Sequence, residues 1–96
     1  MIPTHVERYE GRPFPSEFRV GWASWDDGTF QNRSIKWAYR DTSGKISRGC
    51  PELPFDILVD MVIHAHKQGE LSAGEILQLQ QTLIPQLSFS DAAVQQ

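Results

Sequence analysis

Two stretches of alternating apolar and polar residues, 18–25 and 29–39, lie on either side of an Asp-Gly dipeptide in the first half of the chain. Alternation with a period of two is typical of strands that have one buried face. The Asp27-Gly28 dipeptide favours a type I′ turn, in which both central residues need a positive φ. The sequence therefore predicts an antiparallel β-hairpin with its tip at this dipeptide.

This turn also predicts the register of the hairpin. The pairs are Trp25 with Phe30, Trp22 with Arg33, Val20 with Ile35, and Phe18 with Trp37. One face then carries Phe18, Val20, Trp22, Ile35, Trp37 and Tyr39, and the other carries Arg19, Gly21, Ala23, Ser34, Lys36 and Arg40, with Trp25 and Phe30 near the tip. Two separate alternations agree under one turn, which supports the register.

The segments that flank the hairpin are less regular. Residues 1–17 include three prolines and Gly11, and the residue before each proline is kept out of the helical region, so an extended arm is predicted. This arm lies either along an edge of the sheet or along a partner. After a turn at residues 41–44, residues 45–48 are predicted to form a short third strand, and residues 49–54 lead from the sheet to the helices.

A first helix is predicted from Pro54 to Gln68, with Gly69 as its left-handed stop. Apolar residues cover most of its surface, and the remaining polar line consists of Asp56, Asp60, His64 and Lys67. A helix this apolar is expected to be buried on most sides.

A second helix is predicted to begin after Ser72, which can cap it. Glu75 completes a capping box with Ser72, and Leu71 can pack on Ile76 as a hydrophobic staple. Pro85 lacks an amide proton and is expected to end or kink this helix. Residues 88–96 carry weak signals and are predicted to form a frayed tail.

The predicted fold is α+β: a three-stranded antiparallel β-meander followed by an α-helical hairpin that packs on one sheet face, after an extended N-terminal arm. A chain of 96 residues suits one hydrophobic core, so residues 1–96 are read as a single domain. Within it, residues 1–17 form the arm, 18–48 the sheet, 54–87 the two helices and 88–96 the tail.

Charge is divided unevenly along the chain, which has a net charge of −3. Residues 18–48 carry a balance of +3, whereas residues 49–96 carry −5 and include one cation, Lys67. No Lys or Arg lies between Gln68 and Gln96. This argues against a helix-turn-helix that reads DNA, because phosphate contacts dominate the affinity of such motifs.

The basic side of the predicted sheet is a first candidate site. Basic and aromatic side chains together are typical of surfaces that bind phosphates and stack bases. The candidate nucleic-acid or anionic-partner face consists of Arg19, Trp25, Phe30, Lys36 and Arg40. The alternative is an ordinary solvated face whose long basic side chains discourage edge pairing.

The apolar surface of the helices is a second candidate site. One small sheet face and one neighbouring helix are too little to cover both helices, and exposed apolar patches usually mark protein contacts. The candidate protein interface is represented by Val59, Ile63, Leu79 and Leu83. The alternatives are that the arm and the tail fold back over the helices, that a symmetric homodimer forms, or that a partner fills a groove.

Few residues have the spacing that catalysis or metal binding requires. His64 and His66 are two apart on a helix and point to nearly opposite sides, and Asp60 with His64 needs a further ligand. Cys50 is interpreted as a buried or half-buried structural thiol rather than a nucleophile. The sequence therefore predicts a non-enzymatic protein with no cofactor and no metal site.

One cysteine and the lack of a long apolar run predict a cytoplasmic protein without a membrane segment. The predicted function is that of a small accessory or regulatory protein that binds another macromolecule. The expected partner is a protein or a second copy in a homodimer, and nucleic-acid binding through the basic sheet face is the alternative.

Overall fold

The computed structural model describes the backbone of residues 1–11 and 14–95, and the side chains of residues 1–11 and 14–85. The chain is α+β, with a four-stranded antiparallel sheet and two helices. The strands are β1 (Ile2–Tyr9), β2 (Ser16–Trp22), β3 (Arg33–Ala38) and β4 (Glu52–Pro54), and the helices are α1 (Phe55–Lys67) and α2 (Ala73–Gln95). The order of strands across the sheet is β1-β2-β3-β4. The chain divides into two compact units, Met1–Asp60 and Met61–Gln96. The prediction of a single domain stays a prediction.

The predicted register of the central hairpin is confirmed. Three predicted pairs, Phe18–Trp37, Val20–Ile35 and Trp22–Arg33, are adjacent partners in the ladder between β2 and β3. Because side chains alternate strictly between the two faces of a sheet, these pairs also determine the face on which each remaining residue of the two strands lies.

The tip of the hairpin differs from the prediction. Asp27 and Gly28 have φ angles of 49° and 81°, as the predicted turn requires, but the strands end at Trp22 and Arg33. The carboxylate of Asp26 accepts the backbone N–H groups of the loop at residues 31 and 32. The predicted pairing of Trp25 with Phe30 in a ladder is therefore wrong, since side-chain hydrogen bonds close this loop instead.

The predicted N-terminal arm lies along an edge of the sheet, which is the first of the two alternatives. Residues Ile2–Tyr9 form β1, which pairs antiparallel with β2, and the register shifts between Pro3 and His5. At this bulge the Thr4 hydroxyl donates to the carbonyl oxygen of Val20 at 3.2 Å. Proline has no amide donor and is tolerated on an edge strand, so Pro3 does not prevent strand formation.

The last strand of the sheet is also not the predicted one. β4 pairs with residues 34–36 of β3, whereas residues 45–48 contribute one isolated bridge, between Arg40 and Ile46. The carboxylate of Asp41 accepts the N–H groups of Ser43 at 2.9 Å and Lys45 at 3.1 Å, which closes a tight loop. The predicted third strand at 45–48 is therefore wrong. The sheet has four strands rather than three.

Hydrogen bonds confirm the predicted stop of the first helix at Gly69 and the predicted capping box of the second helix at Ser72 and Glu75. After α1, the N–H of Gly69 donates to the His66 carbonyl and that of Glu70 to the Ala65 carbonyl, both at 3.0 Å. With φ at 73° for Gly69, this is the Schellman pattern. α2 continues through Pro85 to Gln95, so the helix does not end at this proline. The backbone of residues 88–95 belongs to α2, whereas their side chains lie outside the described part of the structure. The predicted fraying of this tail stays a prediction.

The capping box of α2 gives a first testable prediction. The Ser72 hydroxyl accepts the N–H of Glu75 at 3.1 Å, and the Glu75 carboxylate accepts the N–H of Ser72 at 2.8 Å. Removal of such a cap costs about 1 kcal/mol. We expect Ser72→Ala to lower the free energy of unfolding by this amount in urea titrations followed by circular dichroism. Ser72→Asp keeps the acceptor and is the control, so an equal loss in both variants would contradict the cap.

Candidate functional site

The side chains of the helices are unusually exposed for their apolar character. None of the 13 residues of α1 is buried, although most of them are apolar. The helical apolar surface comprises ten large side chains that are 37–57% exposed: Phe55, Ile57, Val59, Met61, Val62 and Ile63 of α1, and Leu77, Leu79, Leu83 and Ile84 of α2. Phe55, Val59, Val62 and Ile63 share one side of α1, whereas Ile57 and Met61 lie on the other. Exposed apolar patches such as the first of these usually mark protein contacts.

Two grooves run along the described part of the helical unit. The first, of about 410 Å³, is lined by apolar side chains that include Val62, Leu71 and Leu83. The second, of about 270 Å³, lies beside Ile63 and Ile76 and also includes Val62 and Leu71. The side of α1 that carries Val62 is therefore the side that lies near α2. Both grooves are open, and their walls are mostly apolar.

All four residues of the predicted protein interface lie on this surface. Val59 and Ile63 are one helical turn apart on α1 and are 54% and 46% exposed. Leu79 lines both grooves, and Leu83 lines the first. Their accessibility follows from the structure, whereas their role in an interface stays a prediction.

The predicted basic face is only partly assembled. Arg19 and Lys36 lie opposite each other in the ladder between β2 and β3. The guanidinium group of Arg19, however, donates to the Glu17 carboxylate at 2.7 Å, which offsets its charge. Arg40 donates to the carbonyl oxygen of Gly44 at 2.9 Å. Two of the three predicted phosphate ligands therefore have partners within the sheet unit.

The two aromatic residues of that face do not join the cations. Phe30 has a φ of 55° and lies edge-on to Trp22, with ring centres 5.7 Å apart. Trp22 belongs to the face opposite to that of Arg19, because neighbouring strand positions alternate. Trp25 is 45% exposed and lies in the single turn of 3-10 helix, Ser24–Asp26, that follows β2. The positive φ at Phe30 breaks the alternation on which the sequence prediction relied.

The opposite side of the sheet carries an aromatic face, consisting of Tyr9, Phe18, Trp22, Trp37 and Tyr39. Tyr9 lies 4.9 Å from Phe18, and Trp37 lies 4.8 Å from Tyr39, as ring centres. The indole N–H of Trp37 donates to the Ser16 hydroxyl, and Arg33 stacks over Trp22 at 4.6 Å. Sequence reasoning missed Tyr9, because β1 was not placed in the sheet, and Arg33, although the register already put it opposite Trp22.

A polar cluster around Glu52 lies on the side of the sheet that carries Arg19. The Glu52 carboxylate is 11% exposed and accepts the N–H of Ser24 and the hydroxyl of fully buried Ser34, both at 2.9 Å. Burial acts to raise the pKa of Glu52, but these hydrogen bonds outweigh it and leave the pKa below its ordinary value of 4.5. No sequence signal distinguishes Glu52 from the other acids in its half of the chain.

The remaining candidates for catalysis or metal binding are Cys50, His64 and His66. The Cys50 thiol is half-buried and lies against the backbone of Tyr39, accepting its N–H at 3.2 Å and lying 3.4 Å from its carbonyl oxygen. His64 and His66 are exposed on α1. Among the residues that the structure describes, no group of three or more His, Cys, Asp or Glu side chains could hold a metal ion.

No protein-family model matches this chain, and neither the curated proteins nor the solved structures include a match. Within the described residues, neither helix has the length and apolar character needed to cross a membrane.

Proposed function

We propose that this protein is a non-enzymatic accessory or regulatory factor that binds a protein partner through its helical apolar surface. The single observation that carries the proposal is the exposure of ten large apolar side chains on α1 and α2. The single cysteine, a free thiol, supports a cytoplasmic location within this proposal.

The size of the surface supports binding to a protein. Burying one large apolar side chain completely removes roughly 60–120 Å² from water, as its transfer free energy of about 1.5–3 kcal/mol implies. Ten side chains that are about half exposed therefore offer on the order of 300–600 Å² of apolar area. A standard interface buries about 800 Å² per partner, of which roughly 450–520 Å² is apolar. The total over all ten side chains reaches this value, of which one partner covers a part, because Ile57 and Met61 lie on the side of α1 opposite to Val59 and Ile63.

The alternative, nucleic-acid binding through the sheet, has less support. Phosphate binding depends on free cations, and both Arg19 and Arg40 have acceptors within their own unit. Base stacking beside those cations needs aromatic rings on the same face, whereas Phe30 packs against Trp22 on the other. For these reasons we favour the helices over the sheet as the binding surface.

Site-specific photo-crosslinking tests this proposal directly. A benzophenone amino acid is introduced at Val59 or Leu83 of the full chain, and at the exposed turn residue Thr42 as a control. We expect ultraviolet irradiation in cells to give protein adducts from the two helical positions and few or none from Thr42. Mass spectrometry then identifies each adduct as a second copy or as another protein. Equal adduct yields at all three positions, or none from the helices, would contradict the proposal.

A further inference from the structure

The charges of α1 are arranged so that the helix is complementary to itself in the antiparallel direction. Asp56 and Asp60 lie in its N-terminal half, whereas His64, His66 and Lys67 lie in its C-terminal half. A two-fold axis near residues 61–62 would place Asp56 of one copy opposite Lys67 of the other, and Asp60 opposite His64. A parallel arrangement would place like charges together.

Two exposed apolar residues of α1 lie on either side of the same axis. Val59 and Ile63 lie on either side of residues 61–62 and are about 40° apart around a helix with 3.6 residues per turn. Asp56 and Lys67 flank them on one side of this stripe. Val62 and Ile63 line the grooves beside α2, and Leu58 lines a groove on the aromatic face. Val59 lines none of these grooves, and Ile63 is still 46% exposed, so both side chains can be reached by a partner.

The edges of the sheet are poorly suited to self-association. β4 has three residues, ends in Pro54 and follows closely on Pro51, whereas β1 contains Pro3 and a bulge. Proline removes ladder donors, and short or bulged edges discourage pairing with another chain. Edge-to-edge pairing of two copies through their sheets is thus disfavoured.

From this geometry we infer that the partner of the helical apolar surface is a second copy of this chain. The two α1 helices pack antiparallel about a two-fold axis, with Val59 and Ile63 at the centre and Asp56 against the partner's Lys67 at each end. An isologous contact of this kind closes on itself and produces a dimer. This inference rests on the proposed function, because it names the protein that the helices bind.

A charge swap within one chain tests this arrangement. Asp56→Lys places like charges at both ends of the antiparallel pair, and Asp56→Lys combined with Lys67→Asp restores opposite charges. Residues 56 and 67 are about 16 Å apart along one helix, beyond the screening length of about 8 Å in physiological salt, so they do not restore each other within a chain. Both substitutions also place an unfavourable charge at an end of the α1 dipole, so neither stabilises the helix by itself. Recovery of dimerisation in the double variant would therefore require contact between copies.

Sedimentation equilibrium of the full chain provides the measurement, with Glu70→Lys as a control that has the same change in charge outside α1. We expect a dimer whose dissociation constant rises about tenfold in Asp56→Lys and returns to within about threefold of the original in the double variant. The control should stay near the original value. A monomer at every concentration, or a double variant weaker than Asp56→Lys, would overturn the inference. Crosslinks from the helices to another protein, with a monomeric chain, would overturn it and leave the proposed function standing.

Discussion

Gly21→Ala is expected to detach β1 from the sheet and to lower the free energy of unfolding by about 3 kcal/mol, at the upper end of overpacking costs. Gly21 lies in the middle of the sheet on β2, where the backbone of β1 passes directly over it. A Cβ atom at this position would overlap the carbonyl oxygen of Ile2 and lie 2.7 Å from the Cα of Pro3. Backbone atoms cannot move aside as a flexible side chain would, so the strand itself must shift.

Gly49→Ala is the matched control for this substitution. A Cβ at Gly49 would meet its nearest neighbour, the Tyr39 hydroxyl, at 3.6 Å, which is an ordinary contact. Urea unfolding should therefore show a small change for Gly49→Ala and a large one for Gly21→Ala. Amide exchange by NMR should in addition show loss of protection across β1. Equal stability of the two variants would mean that β1 does not pass over Gly21 as described.

Glu52→Ala is the second substitution with a large expected effect, a loss of about 3 kcal/mol in the free energy of unfolding, because hydrogen bonds to charged groups contribute about 1.5–3 kcal/mol each. Two donors lose their acceptor, the Ser24 amide and the hydroxyl of fully buried Ser34. The buried Ser34 hydroxyl cannot reach water, so the loss of its acceptor leaves a buried polar group without a hydrogen bond. Glu52→Gln retains one carbonyl oxygen in the same place and should lose less than Glu52→Ala.

The same carboxylate predicts a dependence on pH. The pKa of Glu52 in the folded protein lies below its ordinary value of 4.5, because its hydrogen bonds outweigh the effect of burial. The unfolded chain then binds more protons in acid, so this stabilisation is complete above pH 4.5 and is lost as the pH falls through the folded pKa. Asp26, Asp41 and Glu75 have lowered pKa values as well, through hydrogen bonds in their loops and cap.

A comparison of Glu52→Gln with the original chain isolates the contribution of Glu52. Unfolding free energies measured from pH 7 to pH 3 should converge between the two proteins below pH 4.5, since the variant has no proton to gain at this position. A constant difference across the whole range would show that the charge of Glu52 has no part in the stability of the sheet.

Local chemistry explains which parts of the fold the sequence predicts well. The Asp27-Gly28 turn joins the two alternating segments that form β2 and β3. The position of the turn and the two alternations together determine the register. The Ser72 cap and the Gly69 stop likewise depend on neighbouring backbone groups. Each of these features is defined by the chemistry of a short segment, so the sequence alone was enough.

Long-range pairing explains what the sequence did not predict. β1 and β4 are held by partners elsewhere in the chain, and Pro3 and Pro54 break the pattern by which strands are recognised. At the candidate site, the apolar character of Val59 and Ile63 was visible in the sequence. The placement of Phe30 was not, because its positive φ turns the side chain to the other face of the sheet.

One consequence follows from the junction at Pro54 and Phe55, where β4 ends and α1 begins without a loop. The first turn of α1 therefore continues directly from the shortest strand of the sheet, which has three residue pairs with β3. We expect a substitution that loosens this first turn to weaken the pairing of β4 as well, and amide exchange in β4 measures this effect.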